Sequence, residues 1–162
     1  MIHGAIRVVT FLFAALAIPV GMLATPLSAS ADGPGRICET FGNFCAGSAD
    51  VNPSTPVVER NPGREIVRQP VGGTVNGFPA VLLRFNANPN VCVGAANNRE
   101  VVIVPCSVSS SAIWGLNTSS GHDRYLNAAA RLYLSGHNAA GSQFFLAPLG
   151  TNGAFQQFDF LP

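Results

Sequence analysis

Residues 91–116, VCVGAANNREVVIVPCSVSSSAIWGL, contain the clearest structural unit in the chain. The unit begins with an apolar, strand-like run, and a polar turn follows at residues 96–99. A β-branched run then ends at Pro105 and Cys106, and a serine-rich loop leads to a short apolar segment that carries Trp114. Short β-branched and aromatic runs between turn residues are typical of strands. The stretch therefore predicts antiparallel β-structure with tight connections.

A similar unit occurs once before this stretch and once after it. The separation is 47 positions from Cys45 to Cys92 and 41 positions from Cys92 to Tyr133. A degenerate repeat of this length is typical of units that bury their apolar faces only against one another. Propellers usually need four or more such units, so three units favour a small closed barrel with threefold pseudosymmetry, which leaves no exposed strand edges.

The rest of the chain also predicts an all-β fold. Gly72-Gly73 and Asn76-Gly77 are hairpin signals, and a buried strand is predicted at residues 80–85. No helical period persists for three turns, and residues 128–134 allow at most a brief helical turn. The predicted fold class is all-β, with three repeats forming a small closed barrel.

The first residues have the composition of a secretory signal peptide. Arg7 supplies a positive start, residues 8–24 are apolar, and Ala29-Ser30-Ala31 fits a small-residue cleavage site. We therefore expect a signal peptide at residues 1–31 and one domain at residues 32–162. We expect this domain to be secreted and extracellular. The alternative is that the segment is kept as a membrane anchor, and this is the one membrane association that the sequence allows.

The charges of the predicted domain balance, with eight arginines against eight aspartate and glutamate residues after Arg7 is removed. No stretch concentrates arginine as a nucleic-acid groove or an anionic membrane surface requires. We expect no nucleic-acid partner.

In an exported chain, an even number of cysteines indicates disulfides rather than metal ligands. The four cysteines allow three pairings, and the sequence alone does not choose among them. We favour the local pairing, Cys38 with Cys45 and Cys92 with Cys106, because both loops are short and the second closes around one hairpin-like unit. No Cys-x-x-Cys pair occurs, so we expect no zinc site and no other cofactor.

The unit around Cys92 resembles one repeat of the ricin-type lectin domain. Those repeats pair two cysteines across such a loop and end in a Gln-x-Trp motif. Here Cys92, in the sequence Cys-Val-Gly, and Cys106 correspond to the two cysteines, and residues 112–114, Ala-Ile-Trp, correspond to the motif. Residues 156–158, Gln-Gln-Phe, are similar to the motif with phenylalanine for tryptophan, and residues 64–66 take its place in the first unit. The resemblance covers nearly all of residues 32–162 and implies a β-trefoil.

The resemblance does not carry over the sugar-binding residues of the family. Galactose-binding repeats place an aspartate two positions after the first cysteine, where this chain has Gly47, Gly94 and Ser135. The family's stacking aromatic corresponds to Val104, Arg60 and Ala147, and its asparagine corresponds to Ser111, Gly63 and Phe155. Sugar recognition needs a polar acceptor and a flat apolar face together, and no unit keeps both at these places. The resemblance supports the fold and an altered binding site.

Aromatic residues divide into core and candidate surface positions. Trp114, Phe158 and Ile66 are equivalent in the three units, and we expect them to pack in one core. Phe144 and Phe145 are adjacent, so one of the two rings points outward from a strand. That ring either stacks on a ligand or packs under a loop.

Three equivalent loops, residues 49–52, 97–99 and 135–138, carry the candidate ligand-binding side chains. These are Asp50, Asn52, Asn97, Asn98, Arg99, His137 and Asn138. Polar side chains on loops of a rigid scaffold are where ligands are commonly bound. Turn formation also explains such residues, because Asn, Asp and Gly stabilise turns through their own side chains.

No catalytic motif stands out. The eight acidic residues are scattered, no Gly-x-Ser-x-Gly elbow occurs, and the mature domain has only His122 and His137 as histidine bases. We therefore predict a secreted, non-catalytic binding module whose partner is carbohydrate. The alternative is a protein-binding trefoil, such as a protease inhibitor or a factor that recognises a host or envelope protein through residues 51–63.

Overall fold

The computed structural model describes residues 32–96, 99–107, 109–152 and 154–162. These residues form strands, turns and bends, and no helix occurs among them. The all-β prediction is therefore confirmed. The strands are β1 Arg36–Glu39, β2 Cys45–Gly47, β3 Val58–Arg60, β4 Ile66–Val75, β5 Phe78–Phe85, β6 Asn88–Ala95, β7 Val101–Pro105, β8 Ile113–Asn117, β9 Arg124–Asn127, β10 Tyr133–Ser135, β11 Phe145–Ala147 and β12 Phe158–Leu161.

The antiparallel ladders form two sheets. The smaller sheet has the order β12-β1-β2-β3, and the larger has the order β11-β10-β9-β8-β5-β6-β7 with β4 paired to β5. Isolated bridges from Gly35 to Ile66 and from Asp123 to Phe158 join the two sheets. The ladders by themselves thus do not form the continuous closed barrel that the repeat predicts.

The twelve strands fall into three successive sets of four. Cys45, Cys92 and Tyr133, which the repeat predicts to be equivalent, each lie in the second strand of a set. Ile66, Trp114 and Phe158 lie in the fourth strands, and all three are fully buried in one hydrophobic cluster. The Trp114 indole N–H donates a 2.9 Å hydrogen bond to the carbonyl of Val93, so its one polar atom is satisfied.

Three backbone hydrogen bonds close a ring between the three sets. The amide of Val57 donates to the carbonyl of Val101 at 3.0 Å, Val101 donates to Phe144 at 3.1 Å, and Phe144 donates back to Val57 at 2.9 Å. Val57 and Phe144 come just before the third strands of their sets, and Val101 is the first residue of the third strand of its set. The ring gives the three units equivalent positions at one end of the core.

Both disulfides have the favoured pairing. Cys38 is bonded to Cys45 across β1 and β2, and Cys92 is bonded to Cys106 just after β7. The first bridge closes a separation of 7 residues and the second a separation of 14.

We expect removal of the second disulfide to destabilise the domain more than removal of the first. The chain-entropy model gives a loss of about 3 kcal/mol for C92A/C106A and about 2.5 kcal/mol for C38A/C45A, because the longer loop is freer when unfolded. Cys92 is also fully buried, so its replacement loses packing as well. Urea unfolding of the two variants measures the difference. Equal unfolding midpoints for the two variants would contradict the prediction.

The predicted signal peptide at residues 1–31 lies outside the described residues, as do Asn97 and Asn98. Within the described ranges, no helix is long and apolar enough to cross a membrane.

Candidate functional site

The first predicted loop is held by its own side chains. One carboxylate oxygen of Asp50 accepts hydrogen bonds from the Asn52 amide at 3.0 Å and from the Thr55 hydroxyl at 2.6 Å. The Thr55 hydroxyl, followed by the Asn52 amide, lowers the pKa of Asp50 below its ordinary value. The guanidinium of Arg64 donates to the carbonyls of Ser48 and Ala49. Asp50 therefore stabilises its turn and stays ionised.

The second and third predicted loops meet at β11. Arg99 has a left-handed backbone (φ 70°), and its carbonyl accepts a 2.8 Å hydrogen bond from Leu146. Glu100 forms an isolated bridge with Phe145. The His137 ring stacks on Phe145 with 4.4 Å between ring centroids and an angle of 26° between planes. The tertiary structure thus places Glu100 in the same groove as His137, although the two residues are 37 positions apart along the chain.

The first loop does not join this cluster. The residues that follow it pair with β7, where the Ser54 amide donates to the carbonyl of Ile103 and the Ile103 amide donates to the carbonyl of Thr55. Asp50 and Asn52 therefore belong to a different part of the surface from His137. Asn138 is directed differently again, because its side-chain oxygen accepts a 3.4 Å hydrogen bond from the Asn43 amide.

His137 of the third loop and Glu100, which follows the second loop, border a groove of about 580 Å³, which we call the His137–Phe145 groove. Its lining residues are Glu100, His137, Ala139, Ser142, Gln143, Phe144 and Phe145. The exposed His137 ring covers the half-buried Phe145, and the side chains of Glu100, Ser142 and Gln143 add a carboxylate, a hydroxyl and an amide. The Gln143 amide is oriented by a 3.2 Å hydrogen bond to the carbonyl of Val101. A flat ring thus lies beside polar groups that recognise hydroxyls.

Sequence reasoning missed Glu100 and Gln143 as members of this site. Neither residue belongs to a recognisable sequence motif. Long-range bridges bring Glu100 to Phe145 on β11 and Gln143 to Val58 on β3. The adjacent aromatics did carry a signal. Phe144 is fully buried and Phe145 is half-buried, so the outward ring is Phe145, and it stacks on a loop histidine.

The positions that bind sugar in ricin-type repeats are closed or used for structure. A Cβ atom added at Gly94 would lie 2.3 Å from a methyl group of Val104, so no aspartate fits there. The Ser135 hydroxyl donates to the Tyr133 carbonyl and accepts from Gln156, both at 3.0 Å. Gln156 also accepts from the Gly150 amide at 2.8 Å and donates to the Pro148 carbonyl at 2.9 Å, so it holds a turn.

His122 lies in a separate polar cluster. The Thr40 hydroxyl at 3.3 Å and an Asp159 oxygen at 2.9 Å both contact its Nδ1 atom. A hydroxyl–histidine–carboxylate relay needs the two ring nitrogens to serve different partners. This arrangement therefore does not activate the Thr40 hydroxyl. Among the residues that the structure describes, no group of three His, Cys, Asp or Glu side chains could hold a metal ion.

Next to this cluster, Arg68 and Asp123 form an ion pair at 2.6 Å, with only 16% and 13% of the two side chains exposed. Tyr125 donates a 3.2 Å hydrogen bond to the same carboxylate oxygen, and the Arg68 guanidinium lies 4.0 Å over the ring of Phe160. Burial raises the pKa of Asp123 above its ordinary value, while Arg68 acts in the opposite direction. The pair joins β4 to β9 and has the character of a structural contact.

Comparison with solved structures shows that this fold is shared with toxin and lectin chains. A chain of the Haemophilus ducreyi cytolethal distending toxin is 11% identical with a TM-score of 0.66, and the match covers 80% of this chain and 83% of that chain. A mosquitocidal holotoxin is 10% identical with a TM-score of 0.65, and the match covers 80% of this chain but only 17% of the holotoxin.

A lectin gives a similar match. The Polyporus squamosus lectin, solved with the epitope Neu5Acα2-6Galβ1-4GlcNAc, is 14% identical with a TM-score of 0.63, over 82% of this chain and 50% of the lectin. No family model and no curated protein sequence matches this chain. The structural likenesses support a ricin-type lectin fold, and at these identities they show the fold alone.

Proposed function

We propose that this chain is a secreted, non-catalytic binding module that recognises carbohydrate in the His137–Phe145 groove. The observation that carries the proposal is the stacked His137–Phe145 pair next to the carboxylate of Glu100 and the amide of Gln143. A pyranose ring presents a flat C–H face and a rim of hydroxyls, which suit a ring face and polar acceptors. The lectin among the structural neighbours adds support at the level of fold.

The remaining sequence-predicted residues keep supporting roles in this proposal. Arg99 would contact the ligand where it extends beyond Glu100, and Asn138 would do so beyond His137. Asn97 and Asn98, which lie outside the described residues, remain predicted contacts. Asp50 and Asn52 would contact a ligand separately, since the residues that follow their loop pair with β7.

We further propose that the chain is a closed β-trefoil that is exported after cleavage behind Ala31. The bridges Gly35–Ile66 and Asp123–Phe158, together with the hydrogen-bond ring of Val57, Val101 and Phe144, support closure. Two disulfides are typical of proteins from oxidising compartments. N-terminal sequencing of secreted material tests the cleavage site, and a first residue other than Asp32 would contradict it.

Substitution of the stacking histidine tests the binding proposal directly. We expect wild-type protein to bind a subset of an immobilised glycan array, and H137A to lose roughly tenfold in affinity, because the ring that covers Phe145 is gone. E100Q should lose affinity by a similar factor, because a charged acceptor binds hydroxyls more strongly than an amide. H122A is the matched control, since His122 lies outside the groove. No binding to any glycan, or equal binding by wild type and H137A, would refute the site.

Exposed apolar side chains favour a second candidate function, protein binding. Phe41 is 72% exposed and Leu149 is 52% exposed, and both line a cleft with Arg124. This surface differs from residues 51–63, which the sequence favoured for a protein partner. The test is a pull-down from culture medium with wild type and F41S/L149S, together with inhibition assays against secreted proteases. A partner that both proteins capture equally would exclude this cleft.

A further inference from the structure

Two buried carboxyl groups lie under the segment that carries His137. Glu39 on β1 is 3% exposed and Glu59 on β3 is fully buried. Three consecutive backbone amides of the segment donate to them. The amides of His137 and Ala139 donate to the two carboxylate oxygens of Glu59, and the amide between them, that of Asn138, donates to Glu39 at 3.4 Å. The loop is therefore bound from below by two side chains that both come from the first unit of the chain.

Main-chain contacts align the same segment with β3. The Gly141 amide donates to the Glu59 carbonyl, and the Glu59 amide donates to the Ser142 carbonyl, both at 2.8 Å. The Gly136 and Phe155 backbones form a reciprocal bridge at the other end. Residues 136–142 are therefore held at one end by Phe155, at the other end by the Glu59 backbone and in the middle by the two carboxyl groups. The position of His137 over Phe145 depends on these contacts.

The Glu39 carboxyl is enclosed by glycine backbones. A Cβ atom at Gly136 would lie 1.9 Å from its Oε1 atom, and one at Gly42 would lie 2.3 Å from its Oε2 atom. A side chain at either position would displace the carboxyl group. This enclosure excludes water from Glu39 and makes a full negative charge there unfavourable.

The hydrogen bonds distinguish the two carboxyl groups. Glu59 accepts from two amides, whereas Oε2 of Glu39 is buried with no partner in the described part of the chain. An unpartnered buried oxygen is the favourable place for a proton. Burial and the charge of Glu59 together raise the pKa of Glu39 to about 7.

Other charged groups around Glu39 are already paired or lie on its own strand. Asp159 on β12 contacts His122, and Arg36 precedes Glu39 by three residues on β1. The His137 ring is turned to Phe145, and its backbone amide is the part that faces Glu59. Burial is therefore the larger cause of the raised pKa of Glu39, and Glu59 is the neighbouring charge that adds to it.

We propose that Glu39 and Glu59 are positioning residues for the His137–Phe145 groove, and that they hold residues 136–142 in place only while they carry one proton between them. Loss of that proton places two negative charges under one loop, and their repulsion releases the amides of residues 137–139. His137 then leaves the face of Phe145. The role assigned to the groove rests on the proposed carbohydrate binding, but the loop behaviour does not.

The direction of the pH effect follows from the raised pKa. A carboxyl group that holds its proton more tightly when folded, at about 7 against an ordinary 4.5, favours the folded loop at low pH. This contribution is complete below pH 4.5 and is lost as the pH rises through 7. The segment should thus be ordered in mildly acidic solution and loosened in alkaline solution.

Amide hydrogen exchange without any ligand tests the proposal. From pH 6 to pH 8.5, protection factors at residues 137–139, corrected for intrinsic pH dependence, should fall about tenfold in the wild type. E39Q, which is permanently uncharged, should lose less than about twofold over the same range. E59Q should lose protection at both pH values, because an amide side chain is a weaker acceptor for two N–H groups. E65Q, at an exposed glutamate outside the loop, is the matched control and should behave as the wild type.

Unchanged wild-type protection across this pH range, or an E39Q variant with the wild-type pH dependence, would overturn the proposal even if E59Q failed to fold. The glycan array, repeated at pH 6 and pH 8.5, adds a second readout. If the array shows no binding at either pH while the exchange results hold, the binding proposal fails and the positioning role of the two glutamates stands.

Discussion

Replacement of Trp114 by alanine is expected to lower the free energy of unfolding by about 4 kcal/mol, because a large, fully buried side chain leaves a cavity in the central cluster. The substitution also removes the indole donor and leaves the Val93 carbonyl without its 2.9 Å hydrogen bond. Urea unfolding followed by far-UV circular dichroism measures the change.

The equivalent positions supply the controls for this prediction. F158A should be destabilised by a similar amount, since Phe158 is also fully buried and packs at 6.1 Å from the rings of Tyr125 and Phe144. F41A should change stability by less than about 0.5 kcal/mol, because Phe41 is largely exposed. A free energy of unfolding for W114A within about 1 kcal/mol of the wild-type value would be far below the loss expected for a core aromatic. It would show that the three units do not share one core.

The second large effect is expected at Arg68. R68M should lower the free energy of unfolding by about 3 kcal/mol at pH 7, because it leaves the carboxylate of Asp123 buried without its cation. Without Arg68 the pKa of Asp123 rises further, and the penalty for ionising it grows with pH. The difference between R68M and wild type should thus be larger at pH 7 than at pH 4, as urea unfolding at the two pH values measures.

A double variant separates the charge from the packing of Arg68. R68M/D123N removes the buried charge together with its partner and should recover part of the stability lost in R68M. E65Q, an exposed carboxylate outside this cluster, controls for the removal of one negative charge. If R68M were equally destabilised at pH 4 and pH 7, the loss would come from the other contacts of Arg68, with Phe160 and Asp32, and not from Asp123.

Much of the fold could be predicted because it depends on local patterns that repeat. The β-branched run before Cys106 and the turn residues around it indicated strands, and both disulfides formed between cysteines close in sequence. Trp114, Phe158 and Ile66 were assigned to the core from their equivalent places in the units, and they lie in one cluster. The number of repeats predicts closure, but the strand patterns do not show how the sheets meet, because periodicity shows which face is buried and not which strands are neighbours.

The candidate site was only partly predictable. His137 and Arg99 were selected as polar loop residues, and the same rule also selected Asp50, whose carboxylate is used by its own turn. Turn residues and ligand residues are chemically alike, so composition does not separate them. Glu100 and Gln143 belong to no motif and were not selected.

The sequence by itself determined the all-β class, the threefold repeat and the core aromatics, because each follows from residue type and short-range spacing. It favoured the local disulfide pairing, and the tertiary structure decided that pairing. Only the tertiary structure decided that His137 stacks on Phe145 beside Glu100, and that Glu39 and Glu59 bind three amides of one loop. Glu39 precedes Asn138 by 99 positions, and Glu59 precedes His137 by 78. Such contacts come from the register between strands of different units, and no local pattern in the chain specifies that register.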